Sequence, residues 1–144
     1  MFQRILVPTD GSEISQHAVA TAIALAKPLG AEIFTICVKE PFPYGAVAEL
    51  QPTPPQDFFD AQERTAARNV RAVIDACDAA GIVSHAKTVE GLQPWEAIIE
   101  YATEQHCDLL VMGSHGRSGL ASLFLGSEMQ DVLKHTTIPV LVVR

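Results

Sequence analysis

Apolar residues along the chain fall into five short runs that are separated by longer amphipathic segments. Four of the runs are almost continuously apolar or β-branched, a pattern typical of strands that are buried on both faces of a sheet. The third run alternates apolar and polar residues, which indicates a strand at the edge of the sheet. The predicted strands cover residues 2–7, 32–38, 83–90, 108–113 and 138–143.

Helical periodicity fills the segments between these strands. Ser12 is a suitable N-cap for the first helix, and Gly30 and Gly81 are suitable stops for the first and second helices. Pro94 begins the third helix, because proline is well tolerated in a first turn. The helices are predicted over 12–29, from about 57 to 80, from 94 onward, and from near 127 to before Pro139. The inward-facing residues are predicted to be Ala18, Ala22, Leu25 and Ala26, then Val70, Val73, Ile74 and Cys77, then Trp95, Ile98, Ile99 and Ala102.

Strict alternation of strands and helices predicts an α/β fold, a doubly wound five-stranded parallel sheet with helices on both faces. The length is that of a single domain, residues 1–144. The commonest strand orders of such sheets place strand one beside strand four, and ligands bind beyond the carboxyl ends where the order reverses. Residues 40–56 contain five of the nine prolines and are predicted to form a long loop.

The two most unusual loops of the chain follow strands one and four: PTDGS at 8–12 and the glycine-rich stretch that begins with GSHG at 113–116. Glycines let a ligand approach the main chain, and successive N–H groups form an anion nest. Gly126 and Ser127 open a helix whose first N–H groups can bind phosphate. Asp10 can accept hydrogen bonds from ribose hydroxyls. The alternative is that the glycine-rich stretch is only a mobile linker.

The formal net charge is 10 − 17 = −7, which argues against binding to nucleic acid or to an anionic membrane surface. The N-terminal segment resembles neither a signal peptide nor a membrane span, so a cytoplasmic location is expected. The three cysteines form no CxxC pair and no zinc-site spacing, and they are predicted to be buried, reduced thiols.

Familiar nucleotide and hydrolase motifs are missing from the sequence. There is no GxxxxGK[ST] P-loop, no GxGxxG after a strand, and neither GxSxG nor HExxH. A triphosphate would therefore be held mainly by backbone amides, with Arg117 or a metal ion available to balance its charge.

The pattern Gly113-x2-Gly116-x9-Gly126-Ser127 resembles the nucleotide motif of the universal stress protein family, in its ATP-binding branch. RILVPTDGS near the start and TIPVLVVR at the end are similar to the first and last strands of that family. The resemblance implies the adenine nucleotide alpha hydrolase-like sheet order 3-2-1-4-5. It also implies ATP, or AMP or ADP, as ligand, with Mg²⁺ or Mn²⁺ in some members, and a homodimer through the last strand, 138–143.

By this resemblance, adenine would meet the backbone of Val38, and Asp10 and Gly113 would hold the ribose. Gly116, Gly126, Ser127 and the amide of Glu128 would hold the phosphates, while His115 and Arg117 either contact phosphate or face solvent. The full predicted site is Pro8, Thr9, Asp10, Val38, Met112, Gly113, His115, Gly116, Arg117, Gly126, Ser127 and Glu128.

Glu128 departs from the resemblance, because the family usually has a small or apolar residue at that position. Its carboxylate could repel a γ-phosphate, help to bind a metal ion, or point outward and favour the helix end. Phe42 and Tyr44 in the proline-rich loop either cover the adenine or pack on the long helix.

Four functions are compatible with these residues, and the first is preferred. It is a nucleotide-binding regulatory protein of the stress response, in which ATP orders residues 114–126 and 40–56 and so changes a surface that an unknown protein partner reads. The second is a slow ATPase, for which Ser127, His115 and Glu128 are the only polar candidates, so no catalytic residue is assigned. The third is a dimeric interaction module that has lost the nucleotide. The fourth is an FMN or dinucleotide site on the same fold class.

Overall fold

The computed structural model of the chain describes residues 1–39, 56–115 and 125–144. Nearly all of the predicted loop 40–56 lies outside these residues, as do Phe42, Tyr44, Gly116 and Arg117. The described elements are β1 (Arg4–Pro8), α1 (Glu13–Leu29), β2 (Glu32–Lys39), α2 (Gln56–Ala79), β3 (Ser84–Glu90), α3 (Pro94–Glu104), β4 (Leu109–Gly113), α4 (Ser127–His135) and β5 (Val140–Val143).

The five strands form one parallel sheet in the order β3-β2-β1-β4-β5, so the predicted fold class and strand order are confirmed. Strand bounds differ from the prediction by one or two residues, for local reasons. Gln3 donates its N–H to the Asp108 carboxylate at 2.9 Å instead of to a neighbouring strand, so β1 begins later than expected. Pro139 has no N–H to donate, and β5 begins at Val140.

Helix ends follow the predicted signals closely. The Ser12 hydroxyl accepts the Ser15 N–H at 3.3 Å and so caps α1. Gly30 and Gly81, at φ of 65° and 71°, adopt the left-handed conformation that glycine tolerates best. No helix within the described ranges is long and apolar enough to cross a membrane.

Two apolar layers cover the two faces of the sheet. Alternate residues of β1 serve opposite layers, because successive side chains of a strand point to opposite faces. Ile5 and Val7 join the layer under α1 and α2, and Leu6 joins the layer under α3 and α4. Most side chains of β3 are exposed or half-buried, which confirms its predicted place at an edge.

The core differs from the predicted one at a few positions. Trp95 is half-buried rather than enclosed, and its ring stacks on His135 with centroids 4.1 Å apart. The reason is that Trp95 lies in the first turn of α3 and packs against the layer under α3 and α4 without being enclosed by it. Tyr101, which the pattern did not single out, is buried in the same layer. Leu25, Ile74 and Ile99 are half-buried.

All three cysteines are buried, as predicted, and none of them forms a disulfide. Burial raises the pKa of Cys77, and it raises the pKa of Cys107 to about 11. Both thiols are therefore protonated at neutral pH and behave as small apolar groups in the core.

A matched pair of leucines tests where the core lies. Leu110 is fully buried in β4, whereas Leu92 is 85% exposed after β3. We expect Leu110→Ala to lower the free energy of unfolding by about 3 kcal/mol, because it opens a cavity between the sheet and the helices. Leu92→Ala should change it by less than about 0.5 kcal/mol. Urea unfolding curves measure both, and equal costs would contradict the core described here.

Candidate functional site

The candidate site lies at the carboxyl ends of β1, β2 and β4. Pro8 in β1 is paired with Ile36 in β2, and Leu6 in β1 is paired with Leu110 in β4. Because the three strands are parallel, the turns after β1 and β4 and the end of β2 lie at the same edge of the sheet. The described members of the predicted set that lie on these strands and turns are Pro8, Thr9, Asp10, Val38, Met112, Gly113 and His115, and Gly126, Ser127 and Glu128 follow at the start of α4.

The turn from β1 into α1 is held by short-range hydrogen bonds. The Thr9 hydroxyl accepts the Gly11 N–H at 3.2 Å, and the Asp10 carboxylate accepts the Ser12 N–H at 2.9 Å. Thr9 is also tied to β2, since its N–H donates to the Ile36 carbonyl at 2.9 Å. The Asp10 carboxylate is thus set in a defined position at the end of the central strand.

Met112 and Gly113 are the last two residues of β4, next to this turn. A Cβ on Gly113 would lie 3.0 Å from Cγ1 of Ile14, so a side chain there would push against the first turn of α1. The absence of a side chain at Gly113 thus has a packing reason in addition to any ligand contact. Met112 is buried and contributes to the layer under α3 and α4 rather than to the surface of the site.

The described residues at the two ends of the glycine-rich stretch contact each other directly. Gly126 donates its N–H to the Ser114 carbonyl at 2.7 Å. A Cβ on Gly126 would lie 3.2 Å from Cα of His115, a tight contact that would require the two backbones to move slightly apart. The Gly126 amide is therefore used within the protein, and the role of this residue is to shape the site.

Helix α4 presents its N-terminus at the same edge. Gly126 is the N-cap and, since it has no side chain, it makes no side-chain capping hydrogen bond of its own. The first intrahelical bond runs from the Gln130 N–H to the Gly126 carbonyl at 3.1 Å. Because the first N–H groups of a helix have no partner within it, those of Ser127 and Glu128 are available to an anion at the positive end of the helix dipole.

Glu128 does what none of the sequence-based alternatives predicted. Its carboxylate accepts the backbone N–H of Trp95 at 2.8 Å, in the first turn of α3. The N-cap of α3 is Gln93, which makes no side-chain capping bond, and Pro94 has no N–H to offer. Glu128 therefore caps the neighbouring helix, and its negative charge is compensated by that helix's dipole.

The base of the site is formed by the end of β2. Val38 is half-buried and Cys37 beside it is buried. The side chain of Asn69 in α2 donates to the Cys37 sulfur at 3.7 Å. Sequence analysis missed both Asn69 and Ser114, a buried residue whose hydroxyl lies 3.2 Å from Nδ1 of His115. Asn69 belongs to no recognisable motif, and Ser114 occupies an unspecified position between Gly113 and Gly116, so only tertiary contacts identify them.

The fold and the site geometry together define a class: a doubly wound α/β protein with a helix N-terminus and a central-strand carboxylate at the strand-order reversal. The model of the universal stress protein family matches residues 1–144, and the chain belongs to this family.

Individual relatives agree with this assignment. Universal stress protein MJ0531 of Methanocaldococcus jannaschii is 33% identical over 145 residues, which cover 100% of this chain and 83% of the relative. The structure of protein MJ0577 superposes with a TM-score of 0.83 at 27% identity, covering 99% of this chain and 96% of that one. A universal stress protein in complex with cAMP superposes with a TM-score of 0.71 at 29% identity, covering 99% and 97% of the two chains.

The capping role of Glu128 gives a direct test. We expect Glu128→Ala to lower the free energy of unfolding by about 1 kcal/mol, because the Trp95 N–H loses its acceptor. Glu128→Gln keeps an acceptor oxygen and should cost less than half as much. Glu100→Ala, at an exposed position of α3, is the control and should change stability by less than about 0.5 kcal/mol. Thermal and urea unfolding provide the measurement, and equal stability of all three variants would show that Glu128 is no cap.

Proposed function

We propose that this universal stress protein binds an adenine nucleotide, with ATP as the expected ligand, and acts as a nucleotide-responsive regulator. The observation that carries the proposal is the uncapped N-terminus of α4, which opens at the same sheet edge as the Asp10 carboxylate. The N-terminus of α4 would bind phosphate, and the Asp10 carboxylate would bind ribose hydroxyls. We take residues 1–144 to form a single domain that contains this one site.

Phosphate binding at α4 rests on backbone chemistry. The N–H groups of Ser127 and Glu128 lie in the first turn, and the helix dipole adds positive potential there. Gly126 leaves this end of the helix without a side chain that would obstruct an approaching anion. Among side chains, Arg117 and His115 are the expected additional phosphate contacts, with Gly116 as a further backbone contact.

Ribose and base would continue from this point across the sheet edge. Asp10 accepts hydrogen bonds from ribose hydroxyls, beside Gly113, and adenine meets the backbone of Val38 near Pro8 and Thr9. Backbone recognition of the base explains why Cys37 can precede Val38 without spoiling the site. The relative whose structure holds cAMP, an adenine nucleotide, supports this ligand class at 29% identity.

The structure removes the main objection to a charged ligand. A carboxylate at position 128 would disfavour phosphate if it pointed toward the first turn of α4. It instead accepts the Trp95 N–H of α3, and a carboxylate engaged with the neighbouring helix favours anion binding at the first turn of α4. This also removes the reason for preferring an interaction module that has lost the nucleotide.

A divalent cation would be brought by the nucleotide. Within residues 1–39, 56–115 and 125–144, no three or more His, Cys, Asp or Glu side chains are grouped so that they could hold a metal ion. Mg²⁺ or Mn²⁺ would then be bound mainly by phosphate oxygens, as Mg²⁺ often is in nucleotide sites.

A regulatory role is favoured over efficient hydrolysis. Phosphoryl transfer needs a group that orients the attacking water. Glu128 is engaged with α3, and the Nδ1 of His115 lies beside the Ser114 hydroxyl. Nucleotide occupancy would instead change the order of residues 114–126 and 40–56 and thereby the surface offered to a protein partner in the cytoplasm. No role with nucleic acid or membrane is proposed.

Calorimetric titration with ATP, with and without Mg²⁺, tests the proposal. We expect micromolar affinity, about −8 kcal/mol. Asp10→Ala should weaken binding about tenfold, which corresponds to one charge-assisted hydrogen bond. Gly126→Val should abolish binding, since its Cβ would contact the backbone of His115.

Asp78→Ala, an exposed substitution near the far end of α2, is the control and should bind ATP normally. The absence of heat in either buffer, from protein shown to carry no copurified nucleotide, would refute nucleotide binding.

We further propose that two copies pair through β5. One side of this strand bonds to β4 and its other side is the edge of the sheet. Residues 140–143 are all apolar, and Leu141 is 38% exposed. An apolar, uncovered edge of this kind is an aggregation hazard, and twofold pairing with a second copy would cover it.

A proline substitution can test the dimer without breaking the β4–β5 ladder. The carbonyls of Pro139 and Val143 accept bonds from β4, so by alternation the N–H of Val142 faces the free edge. We expect the wild-type protein and Val142→Thr to sediment as dimers at micromolar concentration and Val142→Pro to sediment as a monomer, because proline cannot donate. A monomeric wild-type protein would refute pairing through β5.

A further inference from the structure

Asn69 stands out as a polar side chain on the inner side of α2. Its neighbours on that helix, Ala66, Val70 and Val73, are buried in apolar contacts. Asn69 itself is half-buried and donates from Nδ2 to the Cys37 sulfur at 3.7 Å. Its amide group therefore lies at the carboxyl end of β2, one residue before Val38.

The other end of the same amide group lies against the turn after β1. A Cβ placed on Gly11 would come within 2.5 Å of Oδ1 and 2.9 Å of Cγ of Asn69. Gly11 adopts φ of 78°, in the left-handed region, directly after Asp10. Asn69 thus packs on the one residue of this turn that has neither a side chain nor a preferred backbone conformation.

This contact bears on Asp10 because the turn is a single hydrogen-bonded unit. The N–H groups of Gly11 and Ser12 donate to the side chains of Thr9 and Asp10, respectively. Movement of Gly11 would disturb both bonds and would change the direction of the Asp10 carboxylate. A flexible glycine beside a ligand-binding carboxylate costs affinity, because its conformational entropy is lost on binding.

We propose that Asn69 is a positioning residue for the ribose contact: it holds Gly11 in place and so fixes Asp10 for ribose binding. The ribose part of this inference rests on the proposed nucleotide function, whereas its effect on the turn does not. Asn69 would touch no reacting atom, and its effect on the ligand would pass entirely through Asp10.

Amide hydrogen exchange of the nucleotide-free protein tests the effect on the turn. We expect Asn69→Ala to speed exchange of the Gly11 and Ser12 N–H groups at least about tenfold while leaving the central strands protected. Arg68→Ala, at the adjacent exposed position of α2, should leave all of these rates unchanged. Unaltered exchange at Gly11 and Ser12 in Asn69→Ala would overturn the inference.

Ligand discrimination tests the effect on ribose. We expect Asn69→Ala to weaken ATP binding about tenfold, as expected for a lost charge-assisted contact, but to change binding of 2′,3′-dideoxy-ATP less than about twofold. The dideoxy nucleotide lacks the hydroxyls that Asp10 would bind, so general damage to the site would weaken both ligands equally. Equal weakening, or no weakening of ATP, would overturn the positioning role.

The two proposals can fail separately. A wild-type protein that binds neither nucleotide would refute the proposed function and, with it, the ribose role of Asn69. The exchange rates would still decide whether Asn69 holds the turn.

Discussion

The pairing of β1 with β4 is the constraint on which the site depends. It joins two strands that are far apart in sequence, through the pairs Ile5 with Leu109 and Leu6 with Leu110. The first half of the chain builds the sheet on one side of β1, and the second half builds it on the other side, beginning with β4. The connections after β1 and after β4 therefore lead away from each other. The gap left by this reversal is where doubly wound proteins bind ligands. Both the Asp10 turn and the start of α4 open into it.

All four described helices contact the candidate site or its neighbouring residues, although the sequence motifs indicate only α1 and α4. Helix α1 is capped by Ser12 directly after Asp10, and α4 offers its first N–H groups. Helix α2 adds Asn69, which packs on Gly11, and α3 receives the carboxylate of Glu128. These two contacts link the turn after β1 to α2 on one face of the sheet, and the start of α4 to α3 on the other.

Trp95 connects α3 to both ends of α4. Glu128 in the first turn of α4 binds the backbone of Trp95, and His135 in the last turn of the same helix stacks on its ring. Helix α4 is thus attached to one residue of α3 at both of its ends. Since Glu128 lies in the first turn of α4 and His135 in its last turn, both ends of this helix are linked to α3 through the same residue.

Hydrophobic periodicity was sufficient to predict the fold, because a strand buried on both faces, a strand buried on one face and an amphipathic helix each have a different pattern of apolar residues. It placed the five strands within a few residues and identified β3 as an edge, and glycine and serine at the helix ends marked α1 and α2. It erred where exposure depends on a neighbour far along the chain. Trp95 fitted the pattern of an enclosed core residue, because helical spacing alone cannot show that it packs against the core layer and still stays half-buried.

Sequence alone determined the α/β class, the family resemblance and the two loops of the candidate site, because these depend on local patterns of polarity and glycine. Tertiary structure alone decided the roles of Glu128 and Asn69. The partner of Glu128 is 33 residues away, and the Cys37 partner of Asn69 is 32 residues away. No local pattern specifies such pairs. Only packing of the helices on the sheet brings a carboxylate to an uncapped helix, or an amide to a glycine with no room for a side chain.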